Sequence, residues 1–245
     1  MYTTLTEAPF GKPLKLIKVG NSNLYLRLQR MGLFQGSIIT LHDEEIRIQP
    51  VRVKGTTGER VMGSGMASKV LVHLDDDRKF PMVEMKPGES GHIEGITGGS
   101  ALAKALETLG FHNDDRVTMV RKLPPMEYIA LTDKNIRISL TESMAAKVWG
   151  QSGETMMQLV SAPRGIKFFV KKLIGGRRIV KMFESKGVVT GSTIIPETVK
   201  QAQTLYMSKE NPLVISSFNG LRLFLKREDG SHIFVQPVHD ATPHP

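Results

Sequence analysis

The chain has 245 residues, of which 40% are hydrophobic and 23% charged, with a net charge of +9 and no cysteine. This hydrophobic share supports folded cores, and the length allows two or three compact units. The lack of cysteine excludes disulfides, cysteine-bound zinc and thiol catalysis. No run approaches the roughly 18 apolar residues of a membrane span, and the first residues lack a secretory-signal pattern. We therefore expect a soluble intracellular protein.

The first predicted unit, residues 1–80, starts with a turn and a strand in "GKPLKLIKV". A helix follows, because Leu24, Leu28 and Met31 recur at i, i+4 and i+7 and form one apolar face. Gly32 comes directly after that face. Glycine best fills the left-handed position that ends a helix, so we expect the helix to stop there.

The second predicted unit, residues 81–155, repeats this order most clearly. "GHIEGI" (Gly91–Ile96) is typical of a short strand, and "GGSALAKALETLG" predicts a helix that ends at Gly110. "RVTMVRK", "EYIALTD" and "IRISL" then follow as short segments between turn residues, which is the pattern of successive strands.

The third predicted unit, residues 156–245, contains "PRGIKFFVKKLIGGRRIVKMFESKG", whose helix would end at Gly187. The glycines Gly32, Gly110 and Gly187 are 78 and 77 residues apart. "MASKVL" and "MAAKVW" are also 78 residues apart. Agreement at two separated places indicates three tandem copies of one unit.

Each unit holds several short strands and one short helix. The helices are too few for a βαβ nucleotide-binding fold. We predict a mainly β protein with short helices, built as three tandem small β-barrels, closed or partly open, each with an inserted helix. The short connections "DDDRKFP" and "GQSGET" favour pseudo-threefold packing within the chain.

A resemblance to a known family lies in "RLQRMGLFQG", Arg27 to Gly36, which resembles the signature of the FeoA proteins of bacterial ferrous iron uptake. "MKPGESGHI", the Gly98–Gly99 pair and "LETLGF" are similar to the same signature in the second unit. The resemblance implies an SH3-like barrel with an inserted helix. It also implies a non-enzymatic accessory protein that binds the cytosolic GTPase part of a FeoB-type iron transporter, in the cytoplasm or at the inner face of the membrane.

The residues that define the repeat are expected to be structural. They are Arg27, Gly32, Gly36, Gly110, Gly187 and Gly191. Ala105 and Met182 stand where the signature arginine would fall in the other two units, and Asp114 replaces the glycine after the signature in the second unit.

A basic patch is the main candidate for partner binding. Residues 156–245 carry 13 Lys/Arg against 6 Asp/Glu. The patch around the Gly-Gly turn could bind a phosphate, nucleic acid, lipid headgroups or an acidic protein, or simply be solvated. A nucleic-acid-binding or metal-responsive regulatory role is therefore the alternative function. The patch comprises Lys167, Lys171, Lys172, Arg177, Arg178, Lys181 and Lys186.

Catalytic and metal-binding motifs are not evident. There is no nucleophile elbow, P-loop or HExxH pattern, so we predict no enzyme activity and no cofactor. His73 stands beside carboxylates in "HLDDD", which suit Mg²⁺ or Fe²⁺, but "LDDDRKFP" is interpreted as a solvated linker into the second unit. No metal site is predicted, and direct binding of ferrous iron is disfavoured.

Overall fold

The computed structural model describes residues 2–44, 49–202, 212–218 and 220–238. As predicted, these residues are mainly β with short helices. The strands are β1 (Thr3–Thr4), β2 (Pro13–Val19), β3 (Ile38–His42), β4 (Val51–Gly55), β5 (Gly58–Met62), β6 (Val70–Leu74), β7 (Lys79–Pro81), β8 (Ser90–Ile96), β9 (Arg116–Lys122), β10 (Met126–Thr132), β11 (Arg137–Thr141), β12 (Val148–Ser152), β13 (Thr155–Gln158), β14 (Phe168–Leu173), β15 (Thr193–Gln201), β16 (Leu213–Ser217), β17 (Arg222–Leu225) and β18 (Ile233–Pro237). The helices are α1 (Ser22–Arg30), α2 (Ser64–Ala67), α3 (Ser100–Leu109), α4 (Glu142–Ala145), α5 (Arg177–Ser185) and α6 (Arg227–Gly230), with 3₁₀ turns at Met82–Glu84 and Leu159–Ser161.

The strands pair into three six-stranded sheets with one common order. Sheet 1 is β5-β4-β9-β8-β6-β7, sheet 2 is β11-β10-β15-β14-β12-β13, and sheet 3 is β17-β16-β3-β2-β18-β1. Each sheet therefore contains a hairpin, two strands that flank a long helix, a strand after a short helix, and an edge strand. The same frame occurs three times.

Each sheet curves around its own core. In sheet 1, Val53, Val72, Ile93 and Met119 come from four different strands and are buried in one cluster. Among the described strands, the two end strands of each sheet are not hydrogen-bonded neighbours. The closed form of the predicted barrel is therefore wrong, and the sheets have the partly open form.

The sheets do not follow the predicted ranges 1–80, 81–155 and 156–245. Sheet 1 runs from residue 51 to 122, sheet 2 from 126 to 201, and sheet 3 joins strands from both ends of the chain. Inside the predicted second unit, the linker Leu123-Pro124-Pro125 separates β9 of sheet 1 from β10 of sheet 2. Proline has a fixed φ and no N–H to donate, which disfavours a tight hairpin between these two strands. Leu123 already belongs to the core of sheet 2. The division into three repeat units stays a prediction.

Sheet 1 contacts both other sheets. The Arg222 guanidinium of sheet 3 lies 2.8 Å from the Glu84 carboxylate after β7. On the other side, the buried Gln158 amide of sheet 2 accepts from the Val61 N–H and donates to the Val61 carbonyl, both at 2.8 Å. A second donor bond from Gln158 to the Ala146 carbonyl satisfies the amide, so this junction holds a buried polar group with its partners in place.

The long helices end as the glycine spacing predicts. Gly32, Gly110 and Gly187 follow α1, α3 and α5 with φ of 86°, 79° and 76°. Glycine adopts this left-handed conformation with the least strain, because it has no Cβ. Each helix is held to its sheet by buried apolar side chains, such as Leu28 in α1 and Phe183 in α5.

Candidate functional site

The basic patch lies on β14 and α5, with Lys167 directly before the strand and Lys186 directly after the helix. Six of its seven side chains are exposed and Lys186 is half-buried. None of the seven pairs with a carboxylate within the described part of the chain; the Lys172 ammonium instead donates to the Thr108 hydroxyl at 2.7 Å. The patch is thus an exposed basic surface, and Phe183 secures the helix beneath it.

The aromatic pair before the patch is divided between core and surface. Phe168 is fully buried, whereas Phe169 is 46% exposed. Strand alternation produces this difference, because successive side chains point to opposite faces. A single exposed ring gives little stacking area for unpaired bases.

Arg27 joins two sheets. Its Nη1 donates to the Thr97 carbonyl that follows β8, and its Nη2 lies 3.5 Å from the Asp229 carboxylate of α6. The helix α1 of sheet 3 therefore rests on β8 of sheet 1. Gly95 permits the approach, since a Cβ at this position would lie 3.3 Å from the Met31 side chain.

A cleft of about 200 Å³ lies beside this junction. Its floor is apolar and includes Ile93 and Phe111, and its rim carries charges of both signs. Such a recess suits a polypeptide segment with an apolar anchor and flanking charges. The charged lining residues are Arg27, Arg30, Glu94 and Glu107.

Two histidines and a glutamate converge beside the cleft, on the outer face of sheet 1. His73 on β6 pairs directly with His92 on β8, and Glu94 is two residues further along β8. The Glu94 Oε2 lies 3.4 Å from His73 Nδ1 and 3.5 Å from His92 Nε2. We call these three residues the His-Glu cluster. One ligand atom from each lies within 4.8 Å of the others, which is close enough to share a metal ion.

The surroundings of Glu94 favour its charged form. Burial disfavours the charged form of Glu94, but the hydrogen bond from Lys79 and the neighbouring positive charges outweigh it, so the pKa of Glu94 is lowered. Lys79 reaches the other oxygen, Oε1, at 2.6 Å. The Asp77 carboxylate lies 3.5 Å from His73 Nε2, on the far side of that ring.

The sequence prediction missed this cluster and interpreted "LDDDRKFP", which begins directly after His73, as a solvated linker. His73 instead lies inside β6 and is only partly exposed. The alternation in "GHIEGI" could have placed His92 and Glu94 on one face of a strand. Their pairing with His73 could not be predicted, because nothing in the spacing sets the register of two strands separated by a 3₁₀ turn and an edge strand.

Taken together, the fold and these surfaces define an antiparallel β protein with helices inserted between paired strands. The sequence model of the FeoA domain matches residues 80–152. This stretch contains β8, α3 and β9 of sheet 1 and β10 to β12 of sheet 2. Comparisons with curated proteins and with solved structures return no match. No helix among the described residues is long and apolar enough to cross a membrane.

Proposed function

We propose that this chain is a non-enzymatic accessory protein of ferrous iron transport that binds the cytosolic GTPase part of a FeoB-type transporter. The FeoA match at residues 80–152 carries this proposal. The predicted copies of the same domain on either side would make the chain a tandem form of the single unit. Its location would be the cytoplasm, at the inner face of the membrane.

The cleft beside α1 is the contact surface that we assign to this partner. Its apolar floor and mixed rim offer both burial and charge pairing, which protein interfaces combine. Arg30 is exposed at the rim, so it can be changed without disturbing a core.

The test is affinity capture of the tagged full chain from detergent-solubilised cells, with and without nuclease, read by mass spectrometry. We expect enrichment of an iron-transporter GTPase that nuclease does not reduce. Arg30→Glu should lower this enrichment, and Arg178→Glu on the basic patch is the matched control. Absence of the transporter, together with unchanged iron uptake after deletion of the gene, would contradict the proposal.

The exposed basic patch supports a second candidate function, binding of a nucleic acid. Its seven cations lack carboxylate partners in the described residues, so their charge is available. Phosphate contacts release counterions, and binding should weaken steeply with salt. Gel shifts at about 50 mM salt with the wild type and with Arg177→Ala/Arg178→Ala test this candidate, which fails if the wild type does not bind.

A further inference from the structure

We propose that His73, His92 and Glu94 form a binding site for a divalent first-row transition ion such as Zn²⁺ or Fe²⁺. Two imidazole nitrogens and one carboxylate oxygen are a donor set that both ions accept. The set leaves further coordination positions for water or another ligand. This inference does not depend on a transporter partner.

The separations between donor atoms fit an ion of this size. Metal–nitrogen and metal–oxygen bonds of about 2.0–2.2 Å at tetrahedral angles place neighbouring donors roughly 3.3–3.6 Å apart. Glu94 Oε2 lies 3.4 Å and 3.5 Å from the two histidine nitrogens. The two histidine nitrogens lie within 4.8 Å of each other, so a shared ion would draw the two rings closer together while Glu94 stays in place.

The backbone explains why these side chains converge. The β6–β8 ladder shifts register between Leu71 and Val72, so Glu94 has no partner on the opposite strand. Such a bulge redirects the side chain of the extra residue. Gly91 allows the two strands to approach, because a Cβ there would lie 2.2 Å from the His73 carbonyl oxygen.

Two neighbours complete the arrangement. If His73 binds through Nδ1, its Nε2 faces Asp77, and a carboxylate on the second ring nitrogen is the usual support of a metal-binding histidine. Lys79 holds Glu94 Oε1 and leaves Oε2 directed at the histidines. Arg78 is engaged elsewhere, with Asp76 and Glu89, so its charge is balanced.

The other two sheets serve as internal controls. The register pairs Gln151 with Phe169 in sheet 2 and Gln236 with Lys15 in sheet 3, where sheet 1 pairs His73 with His92. Neither of those pairs offers two strong metal ligands. The donor set thus occurs on one of three equivalent faces.

The experiment uses the full chain without a polyhistidine tag, stripped with a chelator. Titration calorimetry with Zn²⁺, anaerobic titration with Fe²⁺ and visible absorption with Co²⁺ measure binding, with Mg²⁺ for comparison. We expect one ion per chain at this site and little Mg²⁺ binding, since imidazole is a poor ligand for Mg²⁺. Zn²⁺ should also raise the Tm.

His73→Gln introduces the residue that sheets 2 and 3 carry at the equivalent position, so the fold should tolerate it. It should weaken Zn²⁺ binding by more than the roughly 10- to 100-fold that loss of an outer partner causes, and it should remove the Co²⁺ absorption and the Tm increase. His92→Gln should do the same. His112→Gln, and His239→Gln/His244→Gln near the chain end, are matched controls that should bind as the wild type does.

Two results would overturn the proposal. One is a wild type that binds none of the three transition ions. The other is unchanged affinity in both His73→Gln and His92→Gln, which would place the bound ion elsewhere. Circular dichroism of each variant separates loss of the site from loss of the fold.

Discussion

The outer faces of sheets 1 and 2 have the same backbone arrangement but carry different side chains. At the second pair after the bulge, sheet 1 carries His73 and His92, whereas sheet 2 carries Gln151 and Phe169. The bulge residue itself is Glu94 in sheet 1. In sheet 2 it is Lys171, which is part of the basic patch.

The difference teaches that this frame positions three side chains without dictating what they are. One face gathers metal ligands and the other presents a cation and an exposed ring. Function is carried by sites placed on a fold rather than by the fold itself.

The strongest test of the comparison moves the cluster from sheet 1 to sheet 2. Gln151→His/Phe169→His/Lys171→Glu should create a second site and raise the bound metal from one to two ions per chain. A Kd in the micromolar range corresponds to a binding free energy of about 8 kcal/mol, which is the largest effect among these predictions. Metal content after dialysis, with titration calorimetry, measures it.

A variant with only Gln151→His and Lys171→Glu is the control, since it lacks the second imidazole. It should bind the added ion much more weakly. If the triple variant folds and still binds a single ion, the backbone frame alone does not define the site, and the equivalence of the two faces is wrong for metal binding.

The β12–β14 pair of sheet 2 provides a second test, on the face that packs against the core. In sheet 2, Gly150 lies under Phe168, and a Cβ there would lie 2.1 Å from the Phe169 carbonyl oxygen. Gly150→Ala should therefore lower the free energy of unfolding by about 3 kcal/mol, because backbone and ring must both move. Urea denaturation measures the loss.

Gly65→Ala in α2 is the matched glycine control, since nothing lies within 4 Å of an added Cβ. It should leave stability unchanged or raise it by up to about 1 kcal/mol, as expected for alanine in a helix. Equal losses in the two variants would mean that close approach is not what Gly150 provides.

The short helices offer a third test. α2 begins with Ser64 and α4 with Glu142, which is 4% exposed and has one carboxylate oxygen without a hydrogen-bond partner among the described residues. Burial raises the pKa of Glu142 from 4.5 to about 7, against the opposing charges of Arg52 and Arg121. The folded protein then keeps a proton that the unfolded chain releases.

Between pH 4.5 and about 7 the unfolded state thus binds fewer protons than the folded state, so stability should fall as the pH rises through this window. The expected loss is about 3 kcal/mol. Glu142→Gln should remove this part of the pH dependence, measured by urea denaturation at several pH values. If the free energy of unfolding changes with pH in the same way in the wild type and in Glu142→Gln, the raised pKa of Glu142 is not the cause.

The sequence predicted what depends on local pattern. Helix-ending glycines such as Gly110 and the strands around "GHIEGI" follow from residue type and periodicity, and the structure has both. What it could not predict depends on pairing between distant strands. The hairpin β10–β11 pairs through β10 with β15 rather than with β9, and no residue spacing in the sequence predicts this pairing.

The His-Glu cluster was missed for the same reason. His92 and Glu94 are close in sequence, but His73 reaches them only through the register of β6 on β8, which includes a bulge. A shift of one residue would turn His73 to the core face. The cluster is therefore a property of the register and not of a motif.

The smallest expected effect concerns the long helices. Arg27 of α1 occupies the place that Ala105 and Met182 hold in α3 and α5, and its guanidinium donates the hydrogen bond that links α1 to the Thr97 carbonyl. Arg27→Met installs the side chain that α5 carries at this place and should cost about 1.5 kcal/mol, the lower end of what a hydrogen bond from a charged group contributes, because the ion pair with Asp229 is weak and partly exposed. Arg30→Met, an exposed neighbour, should cost nothing measurable. A loss above about 3 kcal/mol would exceed what a hydrogen bond to a charged group contributes, and would mean that Arg27 keeps α1 seated on β8 as a whole.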